Sequence, residues 1–364
     1  MDFQPIAAHF GITDPVVDWE EMHSGNINRT CLVTIRTEQG DRQYIFQRIN
    51  TYVFKKPDEV MANIMKVTEH IKKKLLDTTG SYDRRVLSFR QTTNGKPYYY
   101  TSNHHFWRVY EYVDNAVAYD QVQRPEQFYE AGYSFGEFQA WLSDFPAETL
   151  YEIIPHFHDT PVRFQDLRDA VEKDAAGRCD EVKEEIEFLL SREDECRILM
   201  DALHDGRLPW RVTHNDTKIN NILFDKDSEE AICVIDLDTV MPGTSLFDFG
   251  DAVRYGASTA VEDERDLSKV SLSTELYEQF TRGFLKGADG LLHENEEELL
   301  LPSVKVMTLE LAARFLADYL NGDLYFKTRS KDHNLVRART QIRLVQDMES
   351  KWGELCEITQ RCRE

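Results

Sequence analysis

Past about residue 120 the chain carries one helical pattern after another. The only β-signals in that long half flank a single polar stretch, Val212-Thr213-His214-Asn215-Asp216-Thr217-Lys218-Ile219-Asn220-Asn221. About one short hairpin later an apolar run, Ile232 to Ile235, stops abruptly at Asp236, with Leu237 and Asp238 following. A carboxylate at the end of a buried strand is costly unless it is paired or bound to metal. Any fold for this chain must therefore spend its late strands on holding these polar groups in place.

The first 115 residues have a different texture. Thr30 to Ile35 and Gln43 to Arg48 alternate like strands around the hairpin signal Gln39-Gly40-Asp41. Val60, Ile64, Val67, Ile71 and Leu75 then step by three and four behind the start signal Pro57-Asp58-Glu59, which predicts a helix. Asn94-Gly95 joins two further predicted strands, Arg85 to Gln91 and Pro97 to Tyr100, and Phe106 to Val113 is the last. In the second half Phe128, Ala131, Phe135, Phe138 and Leu142 form one buried stripe. Further helix patterns cover about 161–174, 180–204, 265–286, 303–320 and 331–355. The expectation is an α+β chain of two parts, a small β-rich lobe over 1–115 and a large, mainly helical lobe over 116–364.

Composition limits what such a chain can bind. Lys+Arg 43 against Asp+Glu 65 gives a net charge of −22, which repels nucleic acid and anionic membrane surfaces. A phosphate ligand would have to be held by local cations and metal. The six cysteines are scattered with no C-x-x-C pair, no apolar run reaches membrane-spanning length and no signal peptide is evident, so a cytoplasmic protein is expected, as a monomer or small homo-oligomer.

The polar stretch has the spacing of a phosphoryl-transfer loop. Protein kinases use H-R-D-L-x-x-x-N and then a strand ending in a metal-binding Asp. Such transfers run through a loose transition state, so the protein mostly positions groups and neutralises charge. Asp216 would accept the proton of the acceptor hydroxyl, and Lys218 would meet the transferring oxygens. Asn221 and Asp236 would hold Mg²⁺ against the phosphates of ATP. Asp248-Phe249-Gly250 spells the literal D-F-G of protein kinases, but it lies too far beyond Asn221 and follows no apolar strand. Asp248 is expected to support the loop instead. Asp238, one pleat beyond Asp236, would point the same way and meet metal or acceptor hydroxyls.

The small lobe matches less well. Its phosphate-covering turn, His23-Ser24-Gly25-Asn26-Ile27-Asn28, has one Gly, so Gly25 and Asn26 are the candidates there. Where a Lys is expected on the next strand the chain has Gln47, with Arg48 beside it, and residues alone do not choose between them. The acidic helix partner is equally open between Glu59 and Glu69. Glu111-Tyr112-Val113 would be the hinge whose backbone, at Glu111 and Val113, pairs with adenine. His156-Phe157-His158-Asp159 reads as a turn before the Pro161 helix. Late in the chain Arg314 and Asp318 sit at i, i+4, spacing for a helix salt bridge. Arg314, with Tyr325 after the Asn321-Gly322-Asp323 turn, also suits a polyhydroxylated ligand, which takes a forked donor and an aromatic face.

With H-x-D-x-x-x-x-N, a strand ending Ile-Asp and a later structural Asp, the chain resembles the aminoglycoside phosphotransferase-like kinases, a protein-kinase-like superfamily. Within them it is most similar to the N-acetylhexosamine 1-kinase branch. The stretches that carry this are Val212 to Lys218, Ile235 to Thr239 with Met241-Pro242-Gly243, Phe247 to Asp251, Arg314 to Tyr319 and His333 to Arg337. The resemblance implies ATP- and Mg²⁺-dependent phosphorylation of the anomeric hydroxyl of GlcNAc or GalNAc, with Asp216 as base, Asn221 and Asp236 on metal, and Arg314 and Tyr325 at the sugar. Two other readings remain: the same chemistry on another sugar, an aminoglycoside or an amino alcohol, or a kinase-like module that binds without catalysis.

Overall fold

The computed structural model describes residues 2–22 and 27–364. The chain forms two compact units, one of residues 1–117, 144–154 and 223–241, the other of 118–143, 155–222 and 242–364. The first unit thus takes in two segments beyond the predicted division at 115, one of which carries Asp236.

The first unit is built on an antiparallel sheet of β1 (Val16–Met22), β2 (Arg29–Thr37), β3 (Gly40–Ile49), β4 (Tyr99–Tyr100) and β5 (Phe106–Glu111), in the order β1-β2-β3-β5-β4. The β2–β3 hairpin closes at Thr37 and Gly40, where a φ of 118° needs glycine. Phe3, just before α1 (Gln4–His9), packs edge-on against Trp19, Phe46 and Trp107. These rings, with Cys31, Val33 and Val109, make the core of one face. Helix α2 (Pro57–Thr79) buries the predicted Val60, Ile64, Val67, Ile71 and Leu75, and ends at Gly80 in the left-handed region. Arg85 to Gln91 is not a regular strand. Arg90 and Glu111 exchange backbone bonds with Val109 and Ser88, but only Phe89 bridges Tyr110. The strand Ala231–Val234 lies beside Ile222–Asp225 in a smaller sheet and delivers the chain to Asp236.

In the second unit α3 (Pro125–Trp141) carries the predicted phenylalanine stripe, and α4 (Thr160–Lys173) follows. The pattern over 180–204 resolves into three short helices, α5 (Lys183–Leu190), α6 (Glu193–Cys196) and α7 (Ile198–His204), separated at Arg192 and Arg197. Then come α8 (Ser245–Gly256), α9 (Thr274–Ala288), α10 (Glu294–Glu298), α11 (Leu300–Leu320), α12 (His333–Ser350) and α13 (Trp352–Arg363). Phe164, Leu167, Leu309, Phe315, Leu316, Leu335, Ile342 and Val345 form one core between α4, α11 and α12.

Helices α3 and α9 meet through glycines at i, i+4 on both sides, Gly132 and Gly136 against Gly283 and Gly287. A Cβ at any of the four would strike a backbone oxygen of the facing helix, so the two backbones touch directly. Gly283→Ala must therefore push rigid backbone apart, and we expect a loss of roughly 1–3 kcal/mol, or more if α3 cannot yield. A denaturant melt with an unchanged midpoint would show that the pair separates at no cost.

All six cysteines are unpaired. Among the described residues no helix is long and apolar enough to cross a membrane.

Candidate active site

The candidate residues are divided between the two units. In the second, the short strand Arg211–Thr213 runs into a loop that Asp248 fastens from behind. The Asp248 carboxylate accepts the His214 N–H (2.9 Å), the Asn215 N–H (2.8 Å) and the Gln139 side-chain amide (3.0 Å), and Thr217 Oγ1 donates to its carbonyl (2.6 Å). Gln139 also reaches the Val212 carbonyl (3.1 Å), so the glycine contact of α3 helps to set the loop. Asn215 has a φ of 65°, a left-handed turn that Asn tolerates well. Burial pushes the Asp248 carboxyl above its ordinary range, against the pull of the His214 and Asn215 N–H groups. The literal D-F-G thus supports the loop, as its sequence context implied.

The loop gathers Asp216, Lys218 and Asn221. Lys218 Nζ lies 2.7 Å from Asp216 Oδ1, and each side chain keeps about a third of its surface exposed (33% and 31%). Asn221 Nδ2 donates to the Asp216 carbonyl (2.8 Å) and to its Oδ2 (3.1 Å). The Asn221 amide therefore turns its nitrogen inward, which leaves its oxygen as the atom suited to a cation. Burial works against the Lys218 charge, but Asp216 and Asp251 outweigh it and hold the ammonium above its usual range. Arg254 binds Asp251 from the other side (2.6 Å).

In the first unit Asp236 stands two residues past its strand with φ and ψ both 57°. The chain then closes one tight turn, Leu237–Thr239, so the pleat does not continue and Asp238 does not project beside Asp236. Instead Asp238 is buried, 3% exposed, and pairs with the Arg108 guanidinium, while Asn28 donates to its other oxygen (2.6 Å). The expected projection of Asp238 beside Asp236 is thus replaced by its pairing with Arg108 and Asn28.

Arg108 was missed in the sequence. It lies on β5 directly opposite Gln47 on β3, and its Nε and Nη2 both donate to Gln47 Oε1 (2.8 and 2.6 Å). Gln47 is therefore inward and hydrogen-bonded, its amide passing on to Thr30 Oγ1 (2.9 Å). Arg48, one residue on, takes the opposite face, with a guanidinium nitrogen 3.5 Å from His105. Neither proposed helix acid turns inward, since Glu59 pairs with Lys56 (2.9 Å) and Glu69 with Lys72 (3.0 Å). The only available signal was an Arg inside the apolar run Phe106-Trp107-Arg108-Val109-Tyr110. At the hinge the Glu111 N–H is taken by the Ser88 carbonyl (3.0 Å) and the Tyr112 N–H by that of Gln43 (3.3 Å), and Val113 follows half-buried. Gly25 and Asn26 lie outside the described residues.

The late helices also rearrange the expected pairs. Arg314 turns back to Glu310 (3.3 Å), not on to Asp318, and lies over the Phe157 and Phe326 rings. Glu310 is buried and meets His158 as well (3.1 Å). Burial works against the Glu310 charge, but His158 and Arg314 hold its carboxyl below the usual range. His156 turns to Asp159 (2.9 Å) in the bend before α4. Asp318 instead accepts the N–H groups of Leu324 (2.9 Å), Tyr325 (2.8 Å) and Phe326 (3.0 Å), and Asn334 donates to it (2.9 Å). This carboxylate clamp fixes a loop that presents Tyr325 at 67% exposure.

Residues 18–285 match the family model described as APH, the phosphotransferase enzyme family. Among solved structures the chain is similar to a microcompartment-associated aminopropanol kinase, at TM-score 0.64 and 19% identity over 96% of this chain and 97% of that one. It is also similar to a choline kinase from Cryptosporidium parvum, at 0.56 and 12% over 93% and 90%. A spectinomycin phosphotransferase in complex with ADP and spectinomycin matches at 0.52 and 13% over 99% and 97%. These likenesses show the fold, protein-kinase-like, with an N-terminal antiparallel sheet and a larger helical part. The chain belongs to the phosphotransferase enzyme family.

Proposed function

We propose that this phosphotransferase moves the γ-phosphoryl group of ATP onto the anomeric C1 hydroxyl of an N-acetylhexosamine, GlcNAc or GalNAc, to give the sugar 1-phosphate and ADP. The observation that carries the transfer is the Asp216 carboxylate, held in place by Lys218 and Asn221 on a loop fastened by Asp248. Asp216 accepts the C1 hydroxyl proton as that oxygen bonds to phosphorus, and the bond from phosphorus to the ADP oxygen breaks. Lys218 meets the charge on the transferring oxygens. An amide oxygen from Asn221 and a carboxylate from Asp236 are hard donors that suit Mg²⁺, and the ion would neutralise phosphate charge. Among the described residues no three His, Cys, Asp or Glu side chains gather as a metal cluster. Adenine would pair with backbone groups near Glu111 and Val113.

Support for a neutral acceptor comes from Arg314. It stands over the Phe157 and Phe326 rings with its buried carboxylate partner already shared with His158, and Phe326 in turn meets the ring of the exposed Tyr325. A cationic amine, as an amino alcohol or aminoglycoside carries, calls for carboxylates left over to meet it. A panel of GlcNAc, GalNAc, glucose, aminopropanol, choline and an aminoglycoside, each with Mg·ATP and assayed for ADP release, tests the proposal. Turnover with the N-acetylhexosamines and an acid-labile sugar phosphate product support it, because an anomeric phosphate hydrolyses in mild acid and a 6-phosphate does not. Turnover with amines alone overturns the acceptor, and ATP binding without any turnover leaves a binding module.

Tyr325→Ala should raise the sugar KM about tenfold through loss of ring stacking, of the order of 1–1.5 kcal/mol, with the ATP KM unchanged. Asp318→Asn, which loosens the same loop, should move the sugar KM in the same direction. Steady-state kinetics that move both KM values equally would separate Tyr325 from the acceptor.

A further inference from the structure

We propose that Arg108 and Asp238 form the charge pair that positions Asp236, in place of the strand Lys and helix Glu that protein kinases use for their nucleotide site. The inference rests on Asp236 serving as the metal ligand. A continuous chain of bonds supports it. Thr30 on β2 accepts from Gln47 on β3, Gln47 accepts twice from Arg108 on β5, and Arg108 pairs with Asp238. Asp238 lies two residues from Asp236 in the same tight turn. The turn is held at two further points. Asn28 binds Asp238 while its Oδ1 accepts the Asn50 N–H (2.9 Å), and Asn63 of α2 donates to the Val240 carbonyl (2.9 Å). Where a kinase helix would offer an acid, α2 offers Met61, whose sulfur is 3.8 Å from Arg108. The helix therefore holds the turn through an amide, and the charge that balances Arg108 comes from the turn itself.

Arg108 is 2% exposed, and each of its three guanidinium nitrogens donates to a protein group. It acts as a positioning residue, setting the sheet-to-turn distance on which Asp236 depends. A Lys at 108 keeps the charge but cannot bind Gln47 and Asp238 as a fork does.

The test uses the full chain and reads metal affinity apart from turnover, by titrating Mn²⁺ into the ATP-bound protein and following its paramagnetic resonance. Arg108→Met, Arg108→Lys and Asp238→Asn should each weaken Mn²⁺ binding tenfold or more, within the 10- to 100-fold range for partners that orient metal ligands. The Mg²⁺ needed for half-maximal rate should rise in parallel, with the sugar KM unchanged. Adding Gln47→Lys to Arg108→Met, which returns a cation to β3, should recover part of the affinity. A folded Asp238→Asn or Arg108→Lys protein with wild-type Mn²⁺ affinity overturns the proposal, as does an equal rise in the sugar KM. If Arg108→Met does not fold, those two conservative variants decide. The titration needs no acceptor, so failure of the sugar assignment leaves it intact. If Asp236→Asn also binds Mn²⁺ normally, the metal assignment fails instead.

Discussion

Asp216→Ala should lower kcat on the order of 10³- to 10⁴-fold, about 4 to 5.5 kcal/mol in the barrier, while ATP binding measured by titration stays within about twofold. The size follows from the role proposed for the carboxylate. Phosphoryl transfer needs little covalent help, so removing the group that orients the hydroxyl and takes its proton leaves binding and charge neutralisation in place. Both Asp216 oxygens are engaged, one by Lys218 and one by Asn221, so the variant also frees the Lys218 ammonium and the Asn221 amide. Asp216→Asn separates the two effects. It keeps the shape and an oxygen for one partner but cannot take a proton at neutral pH. A loss as deep as that of Ala assigns the cost to proton acceptance, and a recovery of most of the rate assigns it to orientation. Near-normal turnover in Asp216→Ala would remove this residue from the mechanism.

Local pattern made much of this chain readable, and cross-chain pairing hid the rest. The stripe on α2 and the phenylalanines of α3 announced themselves because a helix repeats its buried face every three or four residues. The contacts of Asp216 with Lys218 and Asn221 were also readable, because the loop brings together residues within five positions. Arg108, Gln47 and Asp238 are 61 and 130 positions from partner to partner, and no local pattern reports such a meeting. Asp238 was misplaced because period two was continued through a residue in the left-handed region, where the strand had already ended. Arg314 and Asp318 have ideal helix spacing, yet each has a stronger use elsewhere. Spacing permits a salt bridge without choosing among competing partners.

The pairing pattern also bears on how phosphate charge would be met. Three of the chain's cations each carry a carboxylate of their own: Lys218 has Asp216, Arg108 has Asp238 and Arg314 has Glu310. In a chain of net charge −22 these pairs add little positive potential to draw in a polyphosphate. Most of the neutralisation would then fall to the divalent ion, and the carboxylate that holds it should be among the most sensitive positions in the protein.

Asp236→Asn should accordingly cost on the order of 10³-fold in kcat, from several kcal/mol of lost charge stabilisation by the metal. The substitution is a clean probe for a backbone reason. Asp236 sits at φ 57° and ψ 57°, a conformation that Asn adopts at least as readily as Asp. The turn Leu237–Thr239 and its Arg108–Asp238 pair should survive, and the thermal midpoint should stay near that of the parent. Asp236→Ala lacks that tolerance and should lose both rate and stability, by roughly 1 kcal/mol for the strained backbone. High Mg²⁺ should recover part of the Asn variant's rate, because the amide oxygen still offers one neutral donor. A variant that keeps full activity at low Mg²⁺ would show that the strand-borne carboxylate does not hold the ion.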